Sequence, residues 1–308
     1  MEGIVIGIDE SPGSATALRW ALREAAARGW PPVTAVLGWG TLDRHCVVLG
    51  ERFERGYDLQ DADDALLAVI EAAVGVKAAR RISRRVACGD GASALLDAAV
   101  GADLLVVGAR GGGGFHDLRL GSVAEQCLHH APCPVAVVRP AAGAGTGGDG
   151  TDTGVAEADV PPLGRVLVGV DGSEGAQRAL HWAIDEARTH GAVLEVLHVW
   201  RPPTTIGEPV DVLPADPLDV DAGDKAARHL VDTALAREDL AGLTDSPTVH
   251  VTHGPPAATV LQAAHRADLV VLGARGRGGF PGLRLGAVGH QVARHAPCPV
   301  VVVPPPDR

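Results

Sequence analysis

Two glycine-bearing stretches have the composition of an anion cradle. One reads Gly108-Ala109-Arg110-Gly111, then nine residues, then Gly121-Ser122; the other reads Gly273-Ala274-Arg275-Gly276, nine residues, then Gly286-Ala287. Glycine lets backbone N–H groups approach a phosphate with no Cβ in the way. A helix opening after Gly121 or Gly286 would add unpaired N–H groups and a partial positive charge. A mobile surface loop is the plainer reading of either stretch taken alone. Reuse of the pattern, each time between an apolar strand and a helix start, favours the cradle. Only Lys77 and Lys225 of the 27 basic residues are lysine, and neither lies near these loops. The lysine-bearing phosphate loop G-x-x-x-x-G-K-[ST] is therefore excluded. The turn from Asp9 to Gly13 lacks G-x-G-x-x-G, which excludes the dinucleotide fingerprint. What remains is a cradle of backbone and hydroxyl donors.

Asp9 and Asp171 end the first apolar run of each half. An Asp there can cap or turn the chain, in competition with Ser11 and Ser173, or it can hydrogen-bond a ligand. The glycine loops carry no lysine, and no H-I-G-H or S-G-G-x-D-S signature occurs, so no catalytic or metal-ligating residues are assigned. The five cysteines form no C-x-x-C pair and read as small buried thiols. His129 and His130 are adjacent and so point about 100° apart on a helix, a surface pattern rather than a metal site. Trp20, Trp39, Trp182 and Trp200 read as core or crevice wall, and Arg80, Arg81, Arg84 and Arg85 as a solvated face.

The elements that must position these residues are written twice. DLLVVGARGGGGF from Asp103 returns as DLVVLGARGRGGF from Asp268, and APCPV from Ala131 returns from Ala296, both offset by 165. GIVIGIDES from Gly3 returns as RVLVGVDGS from Arg165, offset by 162. The period is that of a whole domain. The expected division is a domain over 1–140, a flexible Gly/Thr/Asp-rich linker over 141–162, and a domain over 163–308.

Within each half, strands and helices alternate. Leu18, Ala21, Leu22 and Ala25, like Leu180, Ala183, Ile184 and Ala187, fall on one helical face. Later helices are expected near 59–75, 93–100 and 122–130, and near 223–237, 257–265 and 287–295. Each half has a loop of nearly twenty residues before its second helix. The fourth strands, 104–107 and 269–272, are apolar at every position, as in a parallel sheet covered on both faces. The predicted fold is α/β: two doubly wound, five-stranded parallel sheets of order 3-2-1-4-5. That order places Asp9 opposite the first glycine loop at the switch point. The last strands, 135–138 and 300–303, carry no charge and would be bare edges. They are expected to pair with each other across a pseudo-two-fold axis.

Twenty-seven basic against 38 acidic residues give a net charge of −11, which argues against a nucleic-acid surface. No run approaches the roughly 18 apolar residues of a membrane span. The start, MEGIVIGIDE, has no basic segment before an apolar one, so a signal peptide is not expected.

The coupled motifs, V-G-[IV]-D early, G-x-x-G with nine residues before G-[ST], and A-P-C-P-V late, resemble those of the universal stress protein family in its tandem form. The resemblance implies a cytoplasmic stress-response or signalling protein that binds ATP, with Mg2+ as the usual counter-ion, in each half. It implies pairing of the two domains, leaves room for a homodimer, and points to a downstream protein partner without naming one. Asp9 with Gly38, and Asp171 with Val199, would meet adenine and ribose, with Gly7 and Gly169 close to the adenosine. Gly108, Arg110, Gly111, Gly121, Ser122 and Val123 would hold the phosphates of the first site. Gly273, Arg275, Gly276, Gly286 and Val288 would hold those of the second, where Ala287 replaces the hydroxyl. A slow ATPase or nucleotidyl transferase of the same broad fold is the alternative.

Overall fold

The computed structural model describes residues 3–39, 59–111, 120–139, 163–201, 220–276 and 284–306. The linker expected over 141–162 lies outside them, as do most of the two long loops and Arg277.

The first half runs β1 (Ile4–Gly7), α1 (Pro12–Ala27), β2 (Val33–Trp39), α2 (Leu59–Ala79), β3 (Ile82–Cys88), α3 (Gly91–Ala98), β4 (Leu104–Gly108), α4 (Ser122–His130) and β5 (Val135–Val138). The second runs β6 (Arg165–Gly169), α5 (Glu174–His190), β7 (Val193–Trp200), α6 (Val220–Leu235), β8 (Thr248–His253), α7 (Pro256–Ala264), β9 (Leu269–Gly273), α8 (Ala287–His295) and β10 (Val300–Val303). Helix α2 extends past its expected end. Gly75, however, sits at φ 80 and ψ 157, so the regular helix stops where the apolar periodicity does.

Strand order is β3-β2-β1-β4-β5 in the first half and its mirror in the second, as expected. All pairings within a half are parallel. The strands β4 and β9 are buried at every position up to their final glycine, because helices cover both faces.

The halves join at their last strands. Val135, Ala136 and Val137 pair antiparallel with Val302, Val301 and Val300, which makes one ten-stranded sheet. Two like strands related by a two-fold axis normal to the sheet must run antiparallel. All eight residues of β5 and β10 are buried. The bare edges expected from the sequence are thereby hidden. Each sheet face carries a single apolar core that continues through both halves. One lies under α1, α2, α5 and α6, the other under α3, α4, α7 and α8.

Candidate functional site

The second half holds a cleft of about 330 Å³ at the carboxyl ends of β6, β7 and β9. This is the switch-point position that ligands take in open α/β sheets, and the volume falls within the range of small-molecule sites. Gly169 and Asp171 reach it from β6, and Val199 from β7. Gly273, Arg275 and Gly276 reach it from the loop after β9, and Gly286 and Val288 from the start of α8. The eight residues expected of this site thus surround one space.

Each aspartate is held by its own turn. Ser11 N–H donates to Asp9 Oδ1 at 3.0 Å and the Ser11 hydroxyl to the same oxygen at 2.5 Å. Ser173 N–H donates to Asp171 Oδ1 at 3.0 Å. The helix cap is the serine. Ser11 Oγ accepts Ser14 N–H at 3.2 Å, and Ser173 Oγ accepts Ala176 N–H at 3.1 Å. The Ser173 hydroxyl donates to the Arg275 carbonyl at 3.3 Å, which ties α5 to its glycine loop, and the Ser11 hydroxyl oxygen lies at the same distance from the Arg110 carbonyl.

This arrangement leaves the second carboxylate oxygen facing the loop. A Cβ on Gly111 would lie 2.5 Å from Asp9 Oδ2, and one on Gly276 would lie 2.3 Å from Asp171 Oδ2. Glycine is therefore demanded at both positions by the close approach of the aspartate. Gly108 and Gly273 have a different reason to be glycine. Their Cβ positions are filled by the backbones of Gly13 and Gly175, at 2.9 and 2.5 Å, where the first helix packs on the fourth strand.

The helix starts are as the cradle requires. Gly121 and Gly286 are the N-caps of α4 and α8, and neither helix receives a side-chain cap. The cap N–H groups are used up, donating to the Ala109 and Ala274 carbonyls at 2.8 and 2.7 Å. The first-turn amides that follow carry the positive end of the helix dipole. Ser122 and Ala287 occupy the first helical position and are exposed. Val123 is half-buried behind Ser122. Arg275 lines the cleft, and its Nε is buried with no hydrogen-bond partner among the described residues. Arg110, its counterpart, is exposed.

The two halves differ at the other end. A Cβ on Gly38 would lie 2.3 Å from Gly91 Cα, so the start of α3 already fills the space into which a β2 side chain would point. In the second half the equivalent residue is Val199, and the cleft is open beside it. A Cβ on Gly7 would meet Leu95 Cδ1 at 2.9 Å, whereas one on Gly169 would meet Leu272 Cδ2 at 2.5 Å. The sequence reading did not identify Pro256 and Val260, which wall the second cleft from α7. The Pro255-Pro256 pair that starts that helix was the available signal.

The remaining candidates stay structural. Burial pushes the Cys127 and Cys298 thiols up to about 12, which makes them inert. Trp20 is core. Trp200 lies over Gly223 and its Nε1 donates to Asp224 Oδ1 at 2.8 Å. Arg81 stacks 4.4 Å over Trp30, and Arg84 makes a bidentate pair with Asp63 at 3.0 and 2.8 Å.

The universal stress protein family model matches residues 1–139 and again 162–304. A universal stress protein of Mycolicibacterium smegmatis is 33% identical over 315 residues, covering 98% of this chain and 97% of the relative. One from Mycobacterium tuberculosis is 32% identical over 311 residues, covering 97% and 95%. In fold, the chain is similar to the crystal structure of a universal stress protein from Archaeoglobus fulgidus. That likeness has a TM-score of 0.64 and 22% identity, and covers 98% of both chains.

Proposed function

This chain belongs to the universal stress protein family, and from that premise we propose that it is an ATP-binding protein acting in stress response or signalling through its nucleotide-bound state. Its two domains span 1–140 and 163–308. The observation that carries the reading is the joint geometry at the second cleft. An aspartate oxygen faces a glycine that cannot be anything larger, beside a helix whose first turn has no side-chain cap. The apolar wall of Leu197, Val199, Val260 and Leu272 suits the flat face of a base. Asp171, held by Ser173, suits ribose hydroxyls. The glycine loop, the helix amides and the Arg275 guanidinium suit the phosphates.

The donor set fits a nucleotide anion. Mg2+, where present, would be held chiefly by phosphate oxygens, because Asp171 is the one carboxylate among the described lining residues. When bound, it neutralises phosphate charge. Those lining residues include no lysine or histidine to serve as a proton-transfer group, which favours binding over turnover. The test is mass spectrometry of nucleotide released from the purified protein, followed by calorimetric titration with ATP. Bound ATP, and binding weakened by Asp171→Ala, is the expected result. No released nucleotide and no heat at millimolar ATP would overturn it.

A further inference from the structure

On the other face of the sheet, where the halves meet, lies a cluster of charged side chains that the nucleotide site does not use. Glu24 on α1 and Arg28 at its C-cap correspond, at the 162-residue offset, to Glu186 and His190 on α5. The contacts cross between the halves. Arg28 donates to Glu186, and His190 Nε2 lies 2.9 Å from Glu24 Oε2 and 3.2 Å from Glu186 Oε1. Side-chain exposure is 0% for Glu24, 1% for Glu186 and 3% for His190. Among the described residues, Glu186 Oε1 is a buried oxygen with no aligned hydrogen-bond donor.

We propose that this quartet is a proton-controlled clasp between the two halves, in which the protonated His190 imidazole bridges the Glu24 and Glu186 carboxylates and its deprotonation loosens the α1–α5 contact. One ring nitrogen faces two carboxylate oxygens on different helices. Nε2 carries at most one N–H in either charge state, so what protonation adds is the positive charge that holds both carboxylates; without it two buried acid groups share at most one ring donor. Helix α1 presents Arg23, Glu24 and Arg28 to the cluster, with Arg23 Nη2 at 3.1 Å from Glu24 Oε1. Helix α5 presents Glu186 and His190. Strands β5 and β10 contribute only Ala136, Val138, Val301 and Val303 to the core on this face. The three acceptor-type atoms come within 4.8 Å of one another, a gap that a metal ion could also span. The Arg28 and Arg23 guanidinium groups already on the carboxylates make the proton the better occupant.

The titrations agree in direction. Burial opposes charge on His190, but its hydrogen bonds to Glu186 and Glu24 raise it to about 9. Burial lifts the Glu186 carboxyl to about 7, and the Glu24 charge adds to this. Both groups hold their protons more tightly in the folded chain than the ordinary 6.5 and 4.5. The Glu186 proton is lost as pH rises through about 7, which completes the pair of carboxylates around the imidazolium, and the clasp opens as pH rises further, through about 9, with the His190 proton. Exact internal symmetry would put arginine at position 190, a permanent cation. Histidine there makes the contact titratable.

The experiment is hydrogen exchange of the α1 and α5 amides in the full chain between pH 6 and 10, corrected for intrinsic rates. Protection in wild type is expected to fall by up to about ten-fold per pH unit across the His190 titration, while His190→Arg stays flat above pH 7, where Glu186 is already ionised. Constant protection in wild type, or an unchanged pH dependence in His190→Arg, would overturn the proposal. So would protection that needs Zn2+ and is lost to a chelator. NMR titration of the His190 ring in wild type decides the matter if the variant does not fold. A midpoint above about 8 supports the clasp, and one at or below about 6.5 removes it.

Discussion

At the scale of single residues, the aspartates and serines of the first turns have divided their labour. Ser11 and Ser173 cap the helices, and Asp9 and Asp171 order the serine while turning an oxygen to the glycine loop. Ser173→Ala should therefore lower stability by about 1 kcal/mol with ATP affinity nearly kept. Asp171→Ala should lose about 1–3 kcal/mol of ATP affinity, a 5- to 150-fold weakening. Thermal melts and calorimetric titrations on the same proteins separate the two effects. Ala287→Ser supplies the hydroxyl that the first half has at Ser122. A hydrogen bond to a charged phosphate contributes about 1.5–3 kcal/mol, so tighter binding at the second site, by about ten-fold or more, is expected on titration. Glu24 carries a separate acid signature. Burial alone would raise it, but hydrogen bonds to His190 and Glu186 hold it at about 2. Its contribution is complete above pH 4.5 and is lost as pH falls toward 2. Glu24→Gln should remove that leg from an acid-unfolding curve followed by circular dichroism.

At the scale of elements, most of the architecture was legible because apolar periodicity and glycine positions act locally. The strands of both halves follow from short β-branched runs alternating with helical stripes, and the order 3-2-1-4-5 assumed for them is the one observed. The end of α2 was readable because Gly75 breaks the helix by its positive φ. The contact between β2 and α3 was not readable. Gly38 and Gly91 are 53 residues apart, and their backbones meet only after both elements dock on the sheet. Gly38→Val, which copies the second half's Val199, would place its Cβ 2.3 Å from Gly91 Cα. It should destabilise the protein by about 1–3 kcal/mol, read as a lower urea midpoint. The arginines of β3 fit an edge strand, since an open edge is protected by charge.

At the scale of the whole molecule, the seam between β5 and β10 makes two similar halves into one sheet and two shared cores. Val301 pairs with Ala136 there and is fully buried. Val301→Asp would bury a carboxylate with no counter-charge among the valines of the seam. A lower melting temperature is expected, together with concentration-dependent aggregation as the two apolar edges open, followed by light scattering. An unchanged melt and a stable monomer would show that the seam contributes little.

The sequence alone determined the duplication, the fold class, the positions of the glycine loops and the need to hide two uncharged last strands. These are local or repeated properties, set by side-chain periodicity, turn chemistry and self-similarity. Only the tertiary structure decided which glycines are required by a facing carboxylate and which by helix packing. It alone opened a cleft beside Val199 in the second half and set the Gly91 backbone against Gly38 in the first. It alone brought Glu24 to His190, 166 residues away. The repeat relates Glu24 to Glu186, but no periodicity within one helix reveals which residues of another helix will face it. That partnership is set by the two-fold docking of complete domains, and only there do buried charges acquire the neighbours that fix their protons.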